Sequence, residues 1–280
     1  MNKAAEKMEC GLCPHGCRLA PGQKGLCGTR INQEGTIHSI SYGQITSLAL
    51  DPIEKKPLYH FCPGSYILSL GSFGCNMKCP FCQNHEISQK GMEVVQGQLS
   101  PADLRDIALK TAREGGSIGV AFTYNEPLLN YEYLLEVAPL LKECGQKVVL
   151  VTNGQIMEKP LGRLLPHVDA MNIDLKVFSE DGYKWMGGDF TTVKNTIAAS
   201  VRAGIHVELT TLVIPEVNDE PAMMEEEAKW IRSLDKSIPL HLSRYFPRYR
   251  LRTEATPITV LEKLQTVAGK YLDYVYLGNV

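Results

Sequence analysis

The chain has 280 residues, of which 44% are hydrophobic and 21% charged, with a formal net charge of −2. That length suits one α/β barrel of roughly 200–250 residues with a small appendage. The mixed, near-neutral charge carries no basic footprint of a nucleic-acid binder, and no stretch approaches the ~18 consecutive apolar residues of a membrane helix.

Met1–Glu9 is polar and has no apolar run of the signal-peptide kind, so a cytoplasmic protein is expected. In that reducing setting nine cysteines point to metal or redox chemistry rather than disulfides, and an odd number cannot pair completely. Residues 1–62 form a Cys-rich N-terminal segment with Cys10, Cys13, Cys17 and Cys27 among glycines and turn formers. No periodic run there is long enough to build a core, so a bound metal would supply the missing stability. Four thiolates suffice for a tetrahedral zinc or for a closed iron–sulfur cluster, the spacing does not choose between them, and four free thiols are the third option. His15 is a substitute ligand or an exposed side chain. Residues 36–50 read as two short β-runs forming a hairpin around Tyr42-Gly43. Cys62 and Cys144 read as ordinary thiols.

Residues 63–280 alternate short apolar runs with helical segments. The runs lie at 66–71, 118–123, 147–151, 170–174, 206–214, 239–243 and 274–278. Between them fall helical patterns at 101–114, 130–144, 191–203, 221–234 and 259–272, the first opened by Ser100-Pro101, a cap followed by a first-turn proline. This order predicts βαβ units on a parallel sheet, an α/β fold of the partial, open (β/α)6 TIM-barrel type, with its chemistry at the C-terminal ends of the strands.

The strongest motif, "GCNMKCPFCQN" at 74–84, follows the first of these strands. Its Cys75-x3-Cys79-x2-Cys82 spacing puts three thiolates on one loop, enough for three irons of a [4Fe–4S] cubane, and leaves the fourth iron open to chelate a small molecule. Gly71 and Gly74 permit the tight turn such a loop needs. The competing readings are a zinc site completed by Cys62 and three incidental buried cysteines.

With this loop the sequence resembles the radical S-adenosylmethionine (SAM) superfamily. "AFTYNEPL" (121–128), "VTNG" (151–154) and "NIDLK" (172–176) are similar to strand ends of pyruvate formate-lyase activating enzymes. Over nearly its whole length the chain resembles the AmmeMemoRadiSam system radical SAM proteins, through "CGLCPHGC", "DPIEKKPLYHF", "FTYNEP", "TTLVIPEVND", "HLSRYFPRY" and "YVYLGNV". Members of that family commonly run on past the last segment. The resemblance implies a [4Fe–4S] cluster on Cys75, Cys79 and Cys82, and reductive cleavage of SAM to a 5′-deoxyadenosyl radical that abstracts hydrogen. The substrate would be a small molecule or a metabolite bound to a partner protein, and the reductant a flavodoxin or ferredoxin. It places Asn125 and Glu126 where the superfamily has a Gly-Gly-Glu-type motif for the SAM amino group. It brings Thr152, Asn172 and Asp174 to SAM and to a monovalent cation, for which those enzymes carry an acidic ligand at the place of Val151, and Asn153 is a further cofactor-binding candidate. Lys176 would meet the SAM carboxylate, Phe81 would pack near the adenine, and Arg244 and Tyr245 would face SAM or substrate.

Each polar residue also has a plainer reading: Glu126 and Asp174 as solvated carboxylates, Thr152–Gly154 as a turn, Arg244 as a surface ion pair, and His85 as a cover for the cluster or an exposed side chain. Two other functions fit parts of the sequence. One is an activase for a glycyl-radical enzyme, with the N-terminal segment as docking element. The other is a non-catalytic iron–sulfur or zinc scaffold, for which the strand-end set would have no use.

Overall fold

The computed structural model describes residues 7–280; the first six residues of the polar N-terminus lie outside the described residues. Its main element is an eight-stranded sheet in sequential order: β1 (Ser47–Pro52), β2 (Tyr66–Gly71), β3 (Ser117–Thr123), β4 (Lys147–Thr152), β5 (Ala170–Asp174), β6 (His206–Val213), β7 (Leu240–Arg244) and β8 (Val275–Gly278). Strands β2 to β8 run parallel, while β1 lies antiparallel against β2. β1 and β8 end the sheet without pairing to each other, so the barrel is open. Every predicted run from residue 66 onward is a strand.

The helices that cover the sheet are α1 (Pro101–Gly115), α2 (Tyr131–Glu143), α3 (Glu158–Leu164), α4 (Phe190–Arg202), α5 (Pro221–Leu234) and α6 (Ile258–Ala268). The start of α1 is a capping box: Ser100 Oγ accepts from the Asp103 N–H at 3.2 Å, and Asp103 Oδ2 accepts from the Ser100 N–H at 3.0 Å. The helix stops at Gly116, which sits at φ 66°. Helix α3 has no counterpart in the sequence pattern. It is only seven residues long and carries Pro160 and Gly162, which hide its period.

The hairpin expected around Tyr42-Gly43 is not formed. Thr36–Ser39 pairs instead with Arg30–Gln33 across a turn at Glu34-Gly35. Gln44–Ile45 pairs with Gly97–Gln98, and all six residues of β1 are laddered to β2. A turn does stand at Tyr42-Gly43, but the long ladder on the barrel sheet satisfies more backbone groups than a short local hairpin would. Upstream, Met8–Glu9 pairs with Arg18–Leu19.

The loop between β1 and β2 closes the inside of the barrel near β6 to β8. Glu208 on β6, fully shielded from solvent, accepts from the backbone N–H groups of Tyr59 (3.0 Å) and His60 (2.7 Å) and from the rings of His206 (2.9 Å) and His241 (2.7 Å). Tyr59 packs edge-on against His241 and beside Tyr276. Burial works against the Glu208 charge, but these four donors outweigh it and hold its carboxyl down at about 2.

Candidate active site at the strand ends

The loop that follows β2 carries the three cysteines, and its path is held from four sides. Asn125, just past β3, accepts from the Ser72 N–H at 3.0 Å and donates to the carbonyls of Phe73 (3.0 Å) and Gly74 (3.2 Å). Asn76 donates to the Gln155 carbonyl at 2.9 Å and accepts from Asn153 Nδ2 at 2.9 Å. The Lys78 N–H reaches the Met186 carbonyl at 2.7 Å, and the Pro80 carbonyl accepts from the N–H groups of Arg250 and Leu251. Gly74, at φ 83°, turns where a Cβ would stand 2.3 Å from Thr29 Cγ2 and 2.8 Å from the Cys27 carbonyl oxygen. The glycine is therefore required by its conformation and by the close approach of the N-terminal segment.

So held, Cys75, Cys79 and Cys82 line one cavity of about 460 Å³ at the C-terminal ends of the strands. Phe81, Asn125, Glu126, Thr152, Asn153, Asn172, Asp174 and Lys176 line the same cavity. The sequence-predicted set is thus brought together from four successive strand ends. Arg244 is the exception: it is not among the lining residues. Its Nε donates to the Thr256 carbonyl at 2.8 Å and its guanidinium lies over the Phe246 ring, because Thr256 and Phe246 offer it closer partners than the cavity does. Tyr245 is also turned away, donating to the Leu251 carbonyl at 3.0 Å. His85 stacks on Tyr249 and reaches the Cys82 carbonyl.

Several strand-end groups are already spent on the protein itself. Glu126 is buried; one oxygen accepts from Thr152 Oγ1 (2.6 Å) and the Leu128 N–H (3.0 Å), the other from the Asn153 N–H (2.8 Å). Burial pushes its pKa up to about 7 against the pull of these donors. It ties β3 to the end of β4, and Asn125 ties β3 to the cysteine loop. Asp174 is ion-paired with Lys176 at 2.7 Å. Burial opposes the lysine charge, but the carboxylate of Asp174 outweighs it and raises the lysine pKa. Val151 lines the cavity with a side chain that carries no oxygen.

Burial, reinforced by Glu126 and the neighbouring thiols, raises the Cys75 thiol well above its ordinary value, and burial raises Cys79 to about 11. Such thiols ionise readily only when a metal takes the proton's place. Among the described residues no three His, Cys, Asp or Glu side chains converge as a single ion requires. A cubane places each thiolate on a different iron, so three thiols spread around a cavity fit it.

Part of the wall comes from residues to which the sequence alone gave no role. Lys55, Lys56 and Pro57, from the β1–β2 loop, line the cavity together with Tyr124, Thr210 and Ser243. Lys56 is buried and paired with Asp51 at 2.9 Å, Tyr124 Oη donates to the same carboxylate, and the Lys56 ammonium lies over the Tyr124 ring. The segment "DPIEKKP" was visible as a motif. Its place at the cavity follows only from the antiparallel ladder that carries β1 to the sheet edge.

An open parallel barrel with three cysteines on its first βα loop is the frame of an iron–sulfur enzyme. The Radical SAM superfamily profile matches residues 70–230. The chain is 37% identical over 278 residues to an uncharacterized protein of Methanocaldococcus jannaschii, covering 98% of this chain and 82% of that one. It is also 26% identical to a putative glycyl-radical enzyme activating enzyme of the same organism (74% of this chain, 87% of that one). A pyruvate formate-lyase-activating enzyme of Clostridium pasteurianum is 27% identical (58% and 67%). The fold is shared with the crystal structure of a radical SAM methyltransferase from Sphaerobacter thermophilus, with TM-score 0.59 and 18% identity over 78% of this chain and 67% of that one. The chain belongs to the Radical SAM superfamily. It is an enzyme, and membership implies a [4Fe–4S] cluster and SAM. No helix among the described residues is long and apolar enough to cross a membrane.

Proposed function

We propose that the strand-end cavity binds SAM on a [4Fe–4S] cluster held by Cys75, Cys79 and Cys82 and cleaves it to start hydrogen abstraction from a substrate in the same cavity. The observation that carries this reading is the convergence of the three cysteines with the ends of β3, β4 and β5 on one cavity of about 460 Å³. When bound, the cluster supplies one electron to the SAM sulfonium, so that a C–S bond breaks to give methionine and a 5′-deoxyadenosyl radical.

The chain's own residues do the positioning. Asn125 holds the backbone of Ser72–Gly74, and Glu126 holds the Thr152 hydroxyl and the Asn153 N–H, so the loop and two strand ends keep one geometry. Asn153 also lies 3.5 Å from Cys75 Sγ, where its amide can donate to a thiolate. Lys176 faces the cavity beside Asp174 and supplies a fixed positive charge for the SAM carboxylate. Phe81, buried beside Trp185, offers an apolar face to the adenine. Lys55 and Lys56 form part of the wall.

A second reading, in which the substrate is a glycyl-radical enzyme, is favoured by the names of two of the relatives above. The AmmeMemoRadiSam relationship remains part of the proposal, carried by the segments that resemble it.

The test is anaerobic reconstitution with iron and sulfide, reduction with dithionite, addition of SAM, and assay for 5′-deoxyadenosine and methionine. Their formation supports the reading. A protein with its cluster intact that neither cleaves SAM nor changes its EPR signal on SAM addition would overturn it.

A further inference from the structure

The four N-terminal cysteines are separated by up to 17 positions in the chain, yet they line one cavity. The short ladder Met8–Glu9/Arg18–Leu19 continues into a hydrogen bond from the Cys10 N–H to the Cys17 carbonyl at 2.9 Å, so these two cysteines face each other where the hairpin opens. Cys13 sits at the tip between them. Cys27 arrives on a second turn, closed by the Gly28 N–H on the Gly25 carbonyl and braced by the Gly25 N–H on the Arg30 carbonyl. Gly25 backs directly onto Cys17 Sγ, where a Cβ would lie at 3.7 Å. Cys10, Cys13 and Cys27 are each at most 8% exposed. Together with Cys17 they surround a cavity of about 10 Å³ that they share with Leu12, His15 and Arg30.

Three features separate the possible occupants. Free thiols are disfavoured by Arg30. Its guanidinium is buried in the wall of this cavity, it is ion-paired to Glu132 through Nη1, and its Nε–H has no partner. A buried donor left open in this way costs about 1–3 kcal/mol. Four thiolates on a metal centre accept hydrogen bonds at sulfur, which answers the unmet donor. Zinc is disfavoured by the spacing. Four sulfurs at about 2.3 Å from one ion stand roughly 3.8 Å apart and leave no water-sized void among them. Here they enclose such a void, and no three converge on one point. Sulfurs bound to separate irons stand further apart, around a core. His15 also lines this cavity, with its Nε2 2.6 Å from the Asn76 carbonyl oxygen.

We infer that Cys10, Cys13, Cys17 and Cys27 hold a second, fully thiolate-ligated [4Fe–4S] cluster, a site separate from the one proposed to cleave SAM. The two cavities share no lining residue, but they meet through the cysteine loop. Gly74 packs on Cys27 and Thr29, and Asn76 is held by His15, on either side of Cys75. Leu12 is anchored beyond β4 through its carbonyl, which accepts from the Met157 N–H. The second cluster therefore sits behind the SAM-binding loop and fixes the surface on which that loop turns. With every iron capped by cysteine, it has no open site for SAM.

The test uses the full chain with Cys75, Cys79 and Cys82 all replaced by Ala, reconstituted anaerobically with iron and sulfide. It is expected to hold about four irons and four sulfides and, after dithionite, to show a cluster EPR signal that SAM leaves unchanged. One zinc and no iron, no metal at all, or a signal that shifts with SAM would each overturn the inference. The wild-type protein provides the count that does not depend on any variant folding: about eight irons are expected, and about four would refute the second site. A Cys13→Ser, Cys27→Ser variant should drop to about four irons while its EPR signal still responds to SAM; eight irons retained would refute the ligand assignment. Eight irons in a wild-type protein that neither cleaves SAM nor changes its EPR signal on SAM addition would sink the proposed activity and leave this site standing.

Discussion

Replacing Glu208 with Gln tests the link between the barrel interior and the cavity wall. The carboxylate is fully shielded and accepts from two backbone N–H groups and two imidazoles. Its folded pKa lies at about 2, against an ordinary 4.5, because the donors of His206, His241, Tyr59 and His60 outweigh the penalty of burial. That difference is worth about 3 kcal/mol at neutral pH. A glutamine keeps one acceptor oxygen and turns an NH2 toward donors, orphaning one or two of them at about 1–3 kcal/mol each. Both routes give a loss of about 2–4 kcal/mol at pH 7. The sign with pH follows from the depressed pKa. The stabilisation is fully present above about 4.5 and drains away as pH falls toward 2, since the folded protein must then take up a proton that the unfolded chain has already bound. Urea unfolding of wild type and Glu208→Gln at several pH values between 7 and 3 checks this. The gap between the two should be full from pH 7 down to about 5 and narrow progressively as pH falls through 4 to 3. A gap that stays constant across that range would refute the reasoning. The variant should also loosen the β1–β2 loop, and with it Lys55 and Lys56 in the cavity wall.

Cys79→Ala is expected to abolish the site cluster and SAM cleavage while the far-UV circular dichroism stays that of a folded α/β protein. Full SAM cleavage by that variant would mean that the three-cysteine assignment is wrong. Gly74→Ala forces a Cβ to within 2.3 Å of Thr29 Cγ2 at a φ of 83°, so we expect a stability loss of about 2 kcal/mol or more and reduced iron loading. Thr29→Ser in the same background should restore part of it, because it removes Cγ2, the nearer of the two obstructing atoms, and leaves the Cys27 carbonyl oxygen at 2.8 Å. Burial pushes the carboxyl of Glu227 up to about 8, against the pull of Thr211 Oγ1. The folded state therefore keeps the proton that the unfolded chain releases near 4.5, and stability falls as pH rises from there through 8. Glu227→Gln should flatten that part of the melting-temperature profile between pH 6 and 9; an unchanged slope would count against a protonated Glu227.

The sequence by itself carried the sheet from Tyr66 onward, because each parallel strand, covered on both faces, is a short apolar run bounded by helical patterns. It carried the three-cysteine loop, since ligands placed on one turn must be close in the chain. It also placed Glu126, Thr152 and Asp174 together at the C-terminal ends of the strands, since in a parallel barrel every strand ends on the same side. The tasks of those residues came from tertiary structure. Asn125 and Glu126 spend their polar atoms on the loop and the strand ends, and Arg244 turns to Thr256; partners 12 to 53 positions away leave no local trace. The pairing of Ser47–Pro52 was likewise decided at long range. A six-residue ladder against the sheet edge wins over a local hairpin, and it carries Lys55 and Lys56 into the cavity. For Cys10, Cys13, Cys17 and Cys27 the spacing showed four thiols that could share a metal, but not that they line one small cavity with a buried Arg30 in its wall, which exists only once two turns have closed around it.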